Sequence, residues 1–540
     1  MGLPSGPSSS QGDATMATGP VDNVILLADC YKTSHHKAYP PGTSSLYAYF
    51  ESRGGRFPYT VFFGLQYILK RWLCGPAITK EMVLEAKEVL GTVFKRDDVF
   101  NEDGWNYIVE VGNGRRAFKS GMCVVRRVNG KEHENAQNIC FRIPCFRQRH
   151  GGRIPVRIRA VPEGSVVPVR NVLFTVESTD PAVPWVTNFF ETLLVQVWYP
   201  MTVATVSRIH KQVIHHYMSL THDTLETVEF SLHDAGYRGV SSVESAALGG
   251  AAHMINFKAS DTVAGSSMLR KFYHLQGVAG FSTPSSEHST VTTWGREGEA
   301  QAHRHMLEVY EEGDAGCVCD SYDIWKCFDD VWCNDLRDLV LQRGERGGCI
   351  YLRPDSGDPV EVVLRCLEIL GQSYGTQNNS KGYKMLPPYL RVIHADGIDY
   401  RSLRDVLECL KNNGWSTANA FFGAGGALLQ RVNRDTQKCA YKVSHAVVNG
   451  EEKEVYKEPI TGTWKKSKRG RLSLQCDEGV YRTLEHGQGD VDKDLLVPVF
   501  ENGELLKDYS FDEICQRADI SPQDIDIMEF LDGEKFLDGE

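Results

Sequence analysis

Basic charge is scarce for a chain of 540 residues: 59 Lys and Arg stand against 70 Asp and Glu, a formal net charge of −11. Phosphate-backbone affinity needs a basic face, which argues against nucleic-acid binding as the main role. A local basic pocket for a small phosphorylated substrate stays open. Long apolar runs are also missing, and none reaches the ~18 residues of a membrane span. The opening stretch MGLPSGPSSSQGDATMATGP has neither the charged start nor the apolar core of a secretory signal. Gly6 stands where N-myristoylation requires Ser or Thr.

Cysteine is plentiful, at 15 residues. Without a secretory signal these read as reduced thiols in a cytoplasmic protein. Cys317, Cys319, Cys327 and Cys333 invite a zinc reading, but their gaps match no usual finger or ribbon. Core and surface thiols are the better expectation, with no metal held by protein ligands.

What is present has a rhythm. From Ile154 onward, short β-branched or aromatic runs alternate with amphipathic helical patterns: VEFSLHDAGYRG, HMINFKASD, VAGFSTPSSEH, CVCDSYD, CIYLRPDSG, LRVIHADGID and NAFFGAGG. Their spacing suits βα units. Helical spacing fills 242–251, 295–311, 358–370 and 399–412. Seven such units point to an α/β fold, a (β/α) barrel or a close relative. Six runs end in polar groups: Asp234, Asp261, His288, Asp320, Arg353 with Asp355, and Asp396. In a barrel those ends share the face that carries catalytic loops.

The seventh run, FFGAGGALLQRVNRD, ends in Gly423, Gly425 and Gly426, which let backbone N–H groups approach an anion at a helix start. It matches neither a Walker motif nor G-x-G-x-x-G. Close helix packing is the alternative reading of the same glycines. Arg434, further along, can reach the same anion or another subunit. In RPDSGDP, Arg353 suits a phosphate, and Asp355 suits ribose hydroxyls or a metal-bound water. Asp396 in HADGID suits sugar hydroxyls, and a turn built on Asp and Gly is the alternative for each. Together they point to a phosphorylated ribose.

The expected organisation is a disordered tail 1–20, a mixed α+β region 21–180, a barrel 181–430, a segment 431–517 packing with the N-terminal region, and an acidic tail 518–540. Residues 111–148 stand apart, with eight Lys or Arg, two acidic residues (8 − 2 = +6) and no sustained period. They begin with Val, whose codon starts GT, and end with Gln, codable as CAG, as an in-frame unspliced intron would. A surface insertion is the alternative. WKKSKRGRLSL, 464–474, reads as a solvated hairpin or as basic charge near an ATP path rather than a nuclear signal.

Many ungapped blocks, among them DCYKTSHHKAYPPGTSSLYAYFE, VPWVTNFFETLLVQVWYPMTVAT, HDAGYRGVSS, SDTVAGS, EHST, DSYDIW, YLRPDSGDP, SKGYKMLPPYLRVIHADGID and RGRLSL, resemble the nicotinamide phosphoribosyltransferase family. The resemblance spans nearly all of 24–110 and 150–517. It implies an irregular barrel of the type II phosphoribosyltransferase kind with a smaller strand-containing domain, and a homodimer with shared active sites. The implied reaction moves a 5-phosphoribosyl group from phosphoribosyl pyrophosphate to nicotinamide, with Mg2+ carried by the substrate phosphates and ATP as coupling co-substrate.

The resemblance also assigns residues. His288 is the histidine that ATP phosphorylates, Asp320 the carboxylate that holds its ring, and Glu287 a helper. Arg353 contacts phosphate, and Asp355 lies near the ribose and pyrophosphate. Asp396, Gly397, Gly425 and Gly426 form ribose and phosphate loops. Arg238, Asp261 and Ser282 form the base pocket, where a carboxylate at 261 accepts a carboxamide N–H and repels nicotinate. Asp29, Tyr31, Arg434 and Lys442 come from the second subunit, with Tyr31 stacking on the base.

Three positions depart from the family pattern: Ala235 replaces an aromatic that stacks on the base, Ala395 replaces Gly, and Gly316 replaces Ser. The competing expectations are a nicotinate phosphoribosyltransferase, against which Asp261 counts, and a catalytically silent dimeric binding or signalling protein on the same fold. A barrel hydrolase is more distant, since no nucleophile elbow is present.

Overall fold

Six short parallel strands form one sheet in the spatial order Ala259–Ser260, Leu232–Asp234, Ala420–Ala424, Leu390–His394, Ile350–Arg353 and Ala315–Val318. Residues 281–285 close it. Phe281 makes a parallel bridge to Ala259 on one edge, and Ser285 makes one to Gly316 on the other. The backbone bonds there are real ladder bonds: Phe281 N–H to Lys258 O at 2.8 Å, and Gly316 N–H to Pro284 O at 2.9 Å. Because Leu232–Asp234 also pairs with Ala420–Ala424, the seven runs follow one another around a closed ring in chain order. The seven-unit expectation therefore holds, with the third run reduced to two isolated bridges. The fold is α/β.

The structure, a computed structural model, describes residues 21–111, 150–462, 465–485, 488–521 and 526–534. The tail 1–20, the segment 112–149 and parts of the 464–474 and C-terminal stretches lie outside the described residues. Glu110 O accepts the Gly151 N–H at 2.9 Å and Ile108 O the Gly152 N–H at 2.9 Å, so the two flanks of the basic segment meet directly.

Helices between ring strands start where their caps dictate. Asp358 accepts from Val360 and Glu361 N–H, with Pro359 at the first position of the helix Pro359–Tyr374. Asp399 and Ser402 form a reciprocal capping box that starts Tyr400–Asn412. The buried helix Trp198–Thr221 packs against Val243–Met254 and Tyr400–Asn412 on one side and against the strand Tyr59–Val61 on the other.

A second sheet of seven strands is antiparallel and draws on both ends of the chain: Cys439–Val448 and Val497–Glu501 share it with Thr43–Ser52, Val156–Ala160 and Val172–Ser178. The acidic C-terminal stretch is not all tail. Ile527–Glu534 is helical, and Ile527 and Leu531, four apart on one face, are buried.

Candidate active site

At the C-terminal rim of the ring, His288 Nε2 lies 2.9 Å from Asp320 Oδ1. The imidazole side chain is 47% exposed and the carboxylate 7%. His288 opens the short helix His288–Thr292, and Glu287 is its N-cap in a capping box with Thr290. The Glu287 carboxylate accepts from the Ser289 hydroxyl. Glu287, a candidate helper of the histidine, is thus occupied with starting the helix, because an N-cap side chain turns to the first-turn residues. Asp355 sits beside this pair. Burial pushes its carboxyl up, Arg353 opposes that, Asp320 adds to the rise and His288 lowers it.

A cavity of roughly 540 Å³ enters the ring from this rim. Its walls come in pairs two residues apart: Ala259 and Asp261, His233 and Ala235, Tyr351 and Arg353, Ile393 and Ala395, Phe421 and Gly423. That is the inward face of each strand. Deep in the cavity, the Tyr351 and Phe421 rings meet edge to face at 5.2 Å.

Asp261 stands at the rim. His233 Nε2 is 3.1 Å from its Oδ1, and the Ser282 hydroxyl donates to Oδ1 at 2.6 Å. Burial alone would raise this carboxyl, but His233, Ser282 and the nearby Arg353 together hold it below the usual carboxylate range. Arg353 also lines the cavity, and its Nε is buried with no hydrogen-bond partner among the described residues. A guanidinium so placed is prepared for an anion.

The glycine-rich loops border the same rim. Gly236 and Gly425 approach so closely that a Cβ on Gly236 would lie 3.0 Å from Gly425 O. Gly426 faces open space, and Gly397 takes a φ of +68° that favours glycine. Asp396 is exposed beside Gly397, and Arg238 is exposed on the turn Tyr237–Gly239. Asp234 is fully buried. It accepts from Gly236 N–H and the Ser260 hydroxyl, so it shapes the rim loops instead of meeting a ligand.

Asp29, Tyr31, Arg434 and Lys442 form a second group. Thr192 donates to Asp29 at 3.0 Å, and Tyr31 is 58% exposed. Lys442 Nζ donates to Tyr441 O at 2.7 Å, and burial lowers its pKa, with Glu191 opposing. Among the described residues, no hydrogen bond or ion pair recorded for this group reaches His288, Asp320, Arg353 or Asp261.

Two of the three departures have packing reasons. A Cβ on Gly316 would collide with the Ser285 side chain across the closing bridge. A Cβ on Gly423 would lie 2.9 Å from that of Ala395, so one of the pair must be glycine. Sequence reading missed His233, which stands against Asp261, and the buried His394. Period-two counting back from Ala235 would have found His233.

The profile described as "Nicotinamide phosphoribosyltransferase, N-terminal domain" matches residues 23–119, and that of the "Nicotinate phosphoribosyltransferase (NAPRTase) family" matches 230–504. A nicotinamide phosphoribosyltransferase of Xanthomonas campestris pv. campestris (strain 8004) is 44% identical over 509 residues, 92% of this chain and 98% of the relative. The chain belongs to the nicotinamide phosphoribosyltransferase family. A member from Mycoplasma pneumoniae is 32% identical over 83% of this chain and 95% of its own. Two solved structures share the type II phosphoribosyltransferase fold. Nicotinate-nucleotide pyrophosphorylase from Pyrococcus furiosus has a TM-score of 0.54 at 14% identity, covering 97% of this chain and 99% of that one. Human nicotinic acid phosphoribosyltransferase has a TM-score of 0.51 at 15% identity, covering 91% and 93%.

Proposed function

We propose that the chain transfers the 5-phosphoribosyl group of phosphoribosyl pyrophosphate to nicotinamide, giving nicotinamide mononucleotide and pyrophosphate, and couples the transfer to ATP hydrolysis through His288. One observation carries the reading: Asp261, held as a carboxylate by His233 and Ser282, shares a cavity mouth with the unpartnered guanidinium of Arg353. The first accepts the N–H of a carboxamide, and the second donates to a phosphate. Family membership supports the same reaction.

In the transfer, the pyridine nitrogen forms a bond to C1 of the ribose while the C1–O bond to pyrophosphate breaks, and that electron pair leaves on the pyrophosphate. Asp396 and Asp355 are suited to hold the ribose and to favour the cationic C1 that develops. Asp355 and Asp320 are oxygen donors of the kind a hard cation takes, which fits Mg2+ arriving on the substrate phosphates. That cation neutralises charge on the leaving pyrophosphate.

In the coupling step, a ring nitrogen of His288 attacks the γ-phosphorus of ATP, the P–O bond to the β-phosphate breaks, and the phosphoryl group later passes to water. Asp320 at Nε2 favours the proton there and leaves the Nδ1 lone pair free. Asp29, Tyr31, Arg434 and Lys442, unconnected to the rim of their own chain, are read as the contribution of a second subunit in a homodimer. Free cysteines throughout the described chain suit a cytoplasmic enzyme.

The test is to incubate purified protein with phosphoribosyl pyrophosphate, ATP and Mg2+, with nicotinamide or nicotinate in parallel. Nicotinamide mononucleotide is expected, and Asp261→Asn should cut the preference for nicotinamide by about 10- to 100-fold. Product from nicotinate alone would reverse the base assignment, and none from either would leave a silent scaffold.

A further inference from the structure

Outside the residues that line the cavity, three chemically different side chains converge: Glu299, His303 and Cys327, whose donor atoms all lie within 4.8 Å of one another. Glu299 and His303 are four apart on one face of the helix Glu299–Val309. Cys327 opens the segment Cys327–Asp335, the next stretch after Asp320. His303 is 1% exposed and Cys327 0%. The Cys327 thiol and His303 Nε2 are 3.6 Å apart.

We propose that Glu299, His303 and Cys327 bind a divalent cation of the zinc class. The spacing suits it: Zn–S near 2.3 Å and Zn–N near 2.0–2.1 Å at a tetrahedral angle put the two donors about 3.6 Å apart. One of these donors stands ready, for Glu299 Oε1 is buried without a hydrogen-bond partner among the described residues. Leaving such an atom unpaired is costly, and a cation removes the cost.

The charges also close. A carboxylate, a thiolate and a neutral imidazole around a dication are neutral overall, as a buried assembly should be. A thiolate beside an imidazole selects zinc over magnesium, which takes hard oxygen ligands. Cys319, fully buried and within hydrogen-bonding reach of Cys327, and Cys317, beside His303, are further thiols at the cluster. The Trp332 ring lies against His303 at 5.1 Å and shields one side. Bound metal ties the helix that follows His288 to the segment that follows Asp320.

The experiment uses the full chain, purified under reducing conditions, stripped with chelator and titrated with zinc chloride or cobalt chloride. One equivalent per chain is expected to bind. Cobalt should give a thiolate charge-transfer band, and the thermal midpoint should rise with zinc in excess magnesium. Cys327→Ser should remove the band and weaken binding at least 10- to 100-fold, while Cys333→Ser, outside the cluster, should change neither. If Cys327→Ser fails to fold, Glu299→Gln at the cluster edge carries the test through its affinity. Absence of metal uptake by the folded, reduced parent overturns the proposal, as does a full band in Cys327→Ser or unaltered affinity in Glu299→Gln.

Discussion

Nε2 of His288 lies 2.9 Å from Oδ1 of Asp320, the ring half open to solvent and the carboxylate almost closed off. A buried carboxylate behind an open imidazole fixes the tautomer and stabilises the cation that forms when the ring is phosphorylated. Asp320→Asn keeps the shape and loses the charge. The ATP-stimulated rate should fall on the order of 10²-fold, a larger loss than basal transfer suffers. His288→Ala should abolish ATP stimulation and acid-labile labelling by γ-labelled ATP. Labelling that survives in His288→Ala would remove the histidine from the coupling.

Ala235 lines the cavity where the family pattern places a stacking aromatic. An aromatic pair contributes roughly 1 kcal/mol beyond its area, about fivefold in affinity. Ala235→Phe should therefore lower KM for nicotinamide about fivefold at nearly constant kcat. A fall in kcat alone would mean that the ring blocks the reacting geometry.

Much of this was legible before any coordinates. Each ring strand announces itself as a short apolar run, and its last residues are polar because they leave the barrel interior for the loop face, as at Asp261 and Arg353. His233 was passed over because attention fell on the last residue of its strand, Asp234, which the fold buries as a loop brace. The Glu299–His303–Cys327 cluster was not legible. Cysteine spacing alone argues against zinc, and the other two donors come from a helix whose pattern reads as an ordinary amphipathic face. Glu287 has a local role that the sequence also allows, since an acidic residue before a helix start serves as an N-cap.

Gly316 and Ser285 are matched across the closing bridge of the ring. Gly316→Ser alone should cost about 1–3 kcal/mol through overpacking. Combined with Ser285→Gly, most of that loss should return, a coupling that urea unfolding of the four variants in a double-mutant cycle measures. Additive costs would show that the strands shift apart instead of clashing.

The flanks of the basic segment are joined by the Glu110–Gly151 hydrogen bond at 2.9 Å. Joining Val111 directly to His150 should leave that bond in place and the thermal midpoint within ~4 °C of the parent, since ~1 kcal/mol is the scale of a loop change. A lost cooperative transition would make the segment part of the core.

Glu163 is buried beneath the helix start at Leu65, where its Oε1 accepts the Gln66 N–H at 2.6 Å and the Tyr273 hydroxyl faces the same carboxyl. Burial raises its carboxyl from 4.5 to about 7, against the pull of the backbone N–H groups that face it. The folded chain therefore keeps a proton that the unfolded chain releases near pH 4.5. The contribution is complete below that pH and is lost as pH rises towards about 7, after which it stays lost. Its ceiling is on the order of 3 kcal/mol. Glu163→Gln copies the neutral form at every pH, so its unfolding free energy should drop less than the parent's between pH 5 and pH 8. Urea midpoints at the two pH values decide it, and parallel profiles for the two proteins would mean that Glu163 is already ionised in the folded chain.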